Sequence, residues 1–207
     1  MTNHFDQVAQ NWDNNPEHIE RTQAIVAELL NMIPIREGLK AMEFGSGTGL
    51  LSVALKEHFL GITLMDSSIE MNKQAFSKIK EAGIDHLTPL LFDLEKDDYT
   101  DGTFDIIFTQ MALHHVKDVE SLLTKFFSLL NPGGIVAIAD LYKEDGTFHD
   151  KTFEGHKGFD PDYMINLMTK VCFINPRLKP CFEIKRVDEM NMGKVFPVFL
   201  LVAEKPS

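Results

Sequence analysis

Thiols, long apolar runs and clustered positive charge are all scarce in this 207-residue chain, and each shortage excludes a class of function. Its two cysteines, Cys172 and Cys181, fall outside any C-x-x-C spacing and have no His-x-x-x-His segment to join. That argues against a redox dithiol or a cysteine-based zinc site and leaves packing as their role. No apolar stretch approaches the roughly 18 residues of a spanning helix, and polar residues follow Met1, so a soluble, cytoplasmic protein without membrane association is expected. Lys and Arg number 20 against 31 Asp and Glu, a formal charge of −11. The basic residues gather only in Lys78-Ile79-Lys80 and Lys185-Arg186, so a phosphate backbone would be repelled and nucleic acid is not expected as a partner. With 44% hydrophobic residues and no repeat or linker, residues 1–207 read as one domain.

What is present is a turn. Residues 43 to 49 read Glu-Phe-Gly-Ser-Gly-Thr-Gly after the apolar stretch Leu39–Met42, and Asp66 ends the next apolar run, Ile62–Met65. A strand passing into a helix through glycines lets backbone approach a ligand, because glycine has no Cβ and accepts positive φ. A carboxylate at the tip of the neighbouring strand accepts hydrogen bonds from a ribose diol, and the combination points to an adenosine-containing cofactor. Gly45, Gly47 and Gly49 alternate and position 50 is Leu, which departs from the G-x-G-x-x-G of dinucleotide sites and weakens a nicotinamide reading.

The remaining units alternate. Asn15-Pro16 starts a helix with Ile19, Val26, Leu30 and Ile33 on one face; Leu51, Ala54, Leu55 and His58 continue a second; Ser67-x-x-Glu70 reads as a capping box opening a third, which runs to Gly83. Strands are predicted at Leu87–Phe92, Phe104–Thr109 and Ile135–Ala139, with a helix burying Val119, Leu122, Leu123, Phe126 and Leu130 before the last of them. Asp160-Pro161 opens a final helix with Met164, Leu167, Met168 and Val171 inward. Phe182–Val187 and Val195–Ala203 then pair as a hairpin through a polar turn near Asn191–Gly193. Nearly continuous apolar strands between amphipathic helices give a doubly wound α/β fold with a mostly parallel sheet.

The pattern E-x-G-x-G-x-G resembles the signature of class I S-adenosylmethionine-dependent methyltransferases, and the resemblance runs from about Phe5 to Lys205. It implies a Rossmann-like seven-stranded sheet of order 3-2-1-4-5-7-6 with the seventh strand antiparallel. It places Gly45, Ser46, Gly47 and Gly49 under the methionine part of S-adenosylmethionine, with Glu43 orienting it through its amino group. Asp66, with Ser67 beside it, takes the ribose hydroxyls. Asp93 meets the adenine amino group while Met65 and Leu94 sandwich the ring, and Gln110 ends the motif Phe104–Gln110 that contacts the methionine amino group. Residues 1–37, with Phe5, Trp12 and Arg21, resemble the N-terminal helical cap of small-molecule enzymes of the ubiquinone and menaquinone biosynthesis type. After the fourth strand stands Met-Ala-Leu-His-His, unlike the Asn/Asp-Pro-Pro-Tyr/Phe set of adenine-N6 and glutamine methyltransferases.

The reaction implied is in-line methyl transfer to a small-molecule acceptor, in which alignment dominates and a base is needed only for a protonated acceptor. His114 and His115 are the candidates on the substrate side, because imidazole titrates near neutrality. The polar stretch 141–160, with His149 and His156, reads as a lid or substrate loop. The four histidines converge on one rim in this reading, but their i, i+1 and i, i+7 spacings match no zinc pattern, so no metal is expected. A cofactor-binding protein without catalysis, a protein methyltransferase and a nicotinamide-dependent reductase are the competing readings, and the oligomeric state is left open.

Overall fold

The computed structural model describes residues 4–187 and 193–207. Seven strands form one sheet in the order β3-β2-β1-β4-β5-β7-β6. β1 (Lys40–Phe44), β2 (Gly61–Asp66), β3 (Leu87–Leu91), β4 (Phe104–Gln110) and β5 (Leu130–Leu141) run parallel. β7 (Gly193–Glu204) lies antiparallel between β5 and β6 (Ile174–Val187).

The sheet separates two apolar layers, because successive strand residues point to opposite faces. Ile106 and Phe108 pack on one side with Ile25 and Leu29 of α2 (Pro16–Met32), Leu51 and Leu55 of α3 (Leu50–Leu55), and Ala75 and Ile79 of α4 (Ile69–Glu81). Ile107 packs on the other with Leu122, Leu123 and Phe126 of α5 (Val119–Leu129) and Met164 and Met168 of α6 (Pro161–Lys170). Phe108 and Phe126 are fully buried, each contributing roughly 2–3 kcal/mol by transfer from water.

Several boundaries differ from the sequence reading. On α2 the buried residues are Arg21, Thr22, Ile25, Leu29 and Met32, while Ile19 is exposed; the helix is rotated so that two polar residues face inward. Leu130 opens β5 and does not belong to α5, whose chain is turned by Leu130 NH bonding to the Phe126 carbonyl. β5, β6 and β7 are longer than their apolar centres, because antiparallel pairing extends from Ile135–Glu204 to Leu141–Val198 and, on the edge strand, through two register shifts to Val187–Gly193. The polar turn expected near Asn191–Gly193 lies outside the described residues except for Gly193.

Candidate active site

Strand order reverses between β1 and β4, and ligand crevices in open α/β sheets form at such a point, beyond the carboxyl ends of the strands. The glycine turn after β1 occupies that position. Gly45 and Gly47 hold φ of +63° and +53°, values that cost an L side chain about 1–2 kcal/mol. A Cβ on Gly45 would stand 2.5 Å from the Ala112 Cβ, whereas one on Gly47 would meet nothing nearer than the Met71 sulfur at 3.8 Å. Gly45 therefore serves close packing against the segment after β4, and Gly47 keeps space open beside the turn.

Asp66 closes the turn from β2. Its Oδ2 accepts the Gly47 N–H at 2.7 Å and its Oδ1 the Ser68 N–H at 2.7 Å. Burial pushes its pKa above the ordinary carboxylate value, and each oxygen keeps a lone pair for a further donor such as a ribose hydroxyl. Because Asp66 takes the Ser68 amide, Ser68 is the N-cap of α4, its Oγ accepting the Met71 N–H at 3.2 Å. The capping box expected from Ser67 does not form, and Ser67 stands exposed beside Asp66.

Glu43 is sealed beneath the turn. Its Oε2 accepts the Ser52 N–H at 3.1 Å and the Ser52 hydroxyl, tying β1 to α3. Burial pushes its pKa up to about 8 against the pull of those bonds. One oxygen is thus a structural anchor between β1 and α3, and Oε1 lacks a partner.

Among the described residues, Oε1 of Glu43, Oγ of Ser46, Oγ1 of Thr109, Nε of Arg21 and Nε2 of His149 are the buried side-chain polar atoms without a hydrogen-bond partner. Ser46 lies in the glycine turn, Glu43 and Thr109 near the ends of β1 and β4, and Arg21 and His149 in the two segments that cover the rim. An unpaired buried polar group costs about 1–3 kcal/mol. Glu43 Oε1 and Ser46 Oγ belong to the β1–α3 segment itself, where an unpaired buried polar atom is what a polar ligand satisfies.

The N-terminal segment is seated across this rim. Asp6 of α1 (His4–Val8) accepts the Ser68 hydroxyl at 2.6 Å and the Glu70 N–H at 3.2 Å. Asp13 accepts the Thr48 hydroxyl and pairs with Lys78. Phe5 meets His115 edge-on at 5.0 Å between ring centroids, and Trp12 lies 4.2 Å from His18. Arg21 is buried, 3.7 Å from Glu17; burial lowers its pKa, and the charges of Arg186 and Asp140 also act on it. Gln110 accepts the Thr22 hydroxyl at 3.2 Å, joining the tip of β4 to α2.

On the adenine side of the sequence reading, Met65 and Leu94 are buried together in the layer beneath α5. Asp93 caps a turn, its carbonyl accepting the Lys96 and Asp97 amides and its carboxylate pairing with Lys96 at 2.6 Å. A cleft of about 440 Å³ runs from Asp93 to His115 and Ser121.

The histidines gather at the far end. His114 is buried, its Nδ1 2.7 Å from Asp140 Oδ1 and its amide bonded to Oδ2 at 3.2 Å. His149 stacks on Phe153 at 3.8 Å, and burial, with the neighbouring His114 and Arg186, pulls its pKa down to about 4. The loop 141–160 is closed over them: the His156 N–H bonds to the His114 carbonyl at 2.7 Å, and Phe148 and Phe159 are buried. His156 itself turns away onto Phe159. The sequence reading missed the Asp140–His114 pair: Asp140 lies near the end of β5 and His114 just after β4, adjacent strands whose register sets Gln110 against Ala139. It also missed Asp6, Asp13, Thr22 and Ser52, which carry no motif.

A family model described as a methyltransferase domain matches residues 17–177. An uncharacterized methyltransferase of Schizosaccharomyces pombe is 29% identical over 157 residues, 68% of this chain and 55% of that protein. The chain therefore spans about half the length of that relative. The phosphatidylethanolamine N-methyltransferase of Cereibacter sphaeroides is 28% identical over 166 residues, 77% of each chain. Among solved structures, the partner of the Haloferax volcanii Trm112 methyltransferase activator superposes with a TM-score of 0.78 at 16% identity, covering 100% of both chains. The chain belongs to the methyltransferase domain family and has the class I, S-adenosylmethionine-dependent methyltransferase fold.

Proposed function

We propose that this protein transfers the methyl group of S-adenosylmethionine to a small-molecule acceptor held between the glycine turn and the histidine end of the rim. The observation that supports the reading is the two unpaired buried polar atoms of the glycine segment, Glu43 Oε1 and Ser46 Oγ, beside a turn where Gly47 leaves open space. The bound sulfonium supplies an electrophilic methyl group: the acceptor's lone pair forms the new bond, the methyl–sulfur bond breaks with its pair going to sulfur, and S-adenosylhomocysteine leaves.

The chain's own residues bind and align. Asp66 holds the ribose hydroxyls, the amides of the turn and Ser46 line the methionine portion, and Glu43 Oε1 and the backbone at Gln110 face its amino group. Arg21 faces its carboxylate, and Asp93, Met65 and Leu94 border the adenine. The seated N-terminal segment excludes water and supports a capped, small-molecule enzyme of the ubiquinone and menaquinone type. Relatives named for phosphoethanolamine and phosphatidylethanolamine methylation agree with a small acceptor. The net charge of −11 weighs against RNA.

The test is incubation with methyl-labelled S-adenosylmethionine and a panel of phenols, enols, carboxylic acids, thiols and small amines, phosphoethanolamine among them. Label in a small product, with stoichiometric S-adenosylhomocysteine, is the expected result. Label confined to added protein, or cofactor binding with no transfer from any extract of small metabolites, overturns the proposal in favour of a protein methyltransferase or a non-catalytic binder.

A further inference from the structure

Three imidazoles converge where the acceptor is expected. His114 and His115 belong to the short 3-10 turn after β4, and His149 comes from the loop closed over it. One ring nitrogen from each lies within 4.8 Å of the others, and the ring centroids stand 4.2, 5.0 and 5.4 Å apart. The sequence reading set a metal aside because the histidine spacings match no zinc pattern; the fold brings three of the four histidines together from two segments.

Asp140 decides the tautomer of His114. Both oxygens of Asp140 accept amide N–H groups, so the 2.7 Å contact assigns the proton to His114 Nδ1, donating to Asp140 Oδ1, and leaves Nε2 its lone pair. The carboxylate is itself fixed by the amides of His114 and Leu141. A histidine held this way by a buried carboxylate is the arrangement that orients metal-ligating imidazoles. Nε2 of His149 is buried without a partner, which packing alone leaves as a cost and a coordinated cation removes.

We propose that His114, His115 and His149 form a site for a divalent transition metal of the zinc class, with Asp140 as the positioning carboxylate of His114. Metal–nitrogen bonds of about 2.0–2.1 Å put neighbouring nitrogens of a tetrahedron roughly 3.4 Å apart. The rings of His115 and His149 therefore close by about 1–1.5 Å onto a His114 that stays in place. His115 meets Phe5 and Phe153 edge-on, and His149 stacks on Phe153. Two cations lie nearby: Arg186 is held on the Phe148 carbonyl and ring, and Arg21, close enough to feel Asp140, pairs with Glu17.

Three imidazoles leave a fourth position open, the pattern of catalytic rather than structural sites. An acceptor with a hydroxyl, carboxylate or thiol binds there, releases its proton to solvent and presents the resulting anion as nucleophile. This acceptor role rests on the methyl-transfer reading above; the metal site does not. The inference therefore narrows the acceptor to a molecule with an oxygen or sulfur able to coordinate.

The experiment uses the full chain, stripped with chelator and titrated with Co²⁺, followed by visible absorption and by competition with Zn²⁺. One saturating equivalent with the intense bands of four- or five-coordinate Co²⁺ is expected. His149→Ala and His115→Ala should each weaken binding about 100-fold or more, Asp140→Asn about 10–100-fold, and His156→Ala not at all. Cooperative urea unfolding of every variant without metal establishes that it is folded. Failure to bind Co²⁺ below about 1 mM, or binding that His149→Ala leaves unchanged, overturns the site. Since the metal titration needs no cofactor, its failure is distinct from failure to bind S-adenosylhomocysteine, which would strike the methyl-transfer reading instead.

Discussion

Replacing Glu43 by glutamine changes one proton in the most enclosed part of the site, and the consequence is a dependence on pH. Glu43 is fully buried, and its pKa rises from 4.5 to about 8 in the folded protein. Between those values the native chain holds a proton that the unfolded chain has lost. Stability from this group is therefore complete below the ordinary value and is lost as pH rises toward about 8. The slope approaches 1.4 kcal/mol per pH unit, so from about pH 5.5 to 7.5 the native protein loses roughly 2–3 kcal/mol through Glu43 alone. Glu43→Gln keeps a carbonyl to accept from the Ser52 amide and hydroxyl and has no proton to lose. Urea unfolding of both proteins at several pH values isolates the term, because every other group titrates in both. The variant should gain on the native protein by roughly 2–3 kcal/mol across that range. A difference that stays flat with pH refutes the protonated, buried carboxyl.

Other outcomes follow from the same geometry. If Glu43 Oε1 meets the cofactor's ammonium, S-adenosylhomocysteine binding at about pH 7 expels the Glu43 proton, so the calorimetric enthalpy varies with buffer ionisation heat in the native protein and not in Glu43→Gln. Gly45→Ala places a methyl 2.5 Å from the Ala112 Cβ at φ +63°; backbone strain and overpacking together should cost about 3 kcal/mol in urea unfolding. Gly47→Ala has no such neighbour and should cost only about 1 kcal/mol, while reducing S-adenosylhomocysteine affinity at least about ten-fold. Equal effects of the two substitutions on stability would contradict the division of labour between the glycines.

How much of this was legible depended on distance along the chain. β1, the glycine turn and Asp66 were read within a residue or two, because apolar strands end at glycines whose positive φ the turn requires. The buried face of α2 was misjudged because periodicity counts only apolar residues, whereas Arg21 and Thr22 are buried there too, Thr22 donating its hydroxyl to Gln110. Ser67 and Ser68 offer the same hydroxyl, and only the Asp66 side chain, which claims the Ser68 amide, decides between them. That the histidines meet at one rim was legible, but which three of the four come together was beyond local reasoning. His149 reaches His114 through a loop whose closure rests on Phe148, Phe159 and the His156 amide, contacts that no spacing encodes.

The account stands on Asp66 and the glycine turn forming the ribose end of an S-adenosylmethionine site, and calorimetric titration with S-adenosylhomocysteine tests this most directly. The native chain should bind one equivalent, and Asp66→Ala should bind at least about 100-fold more weakly, the loss of two hydrogen bonds to a charged acceptor. Urea unfolding of that variant should show it folded, destabilised by about 1–3 kcal/mol from the unpaired Gly47 and Ser68 amides. No binding to the native protein at high micromolar ligand, or equal affinity in a folded Asp66→Ala, would contradict it.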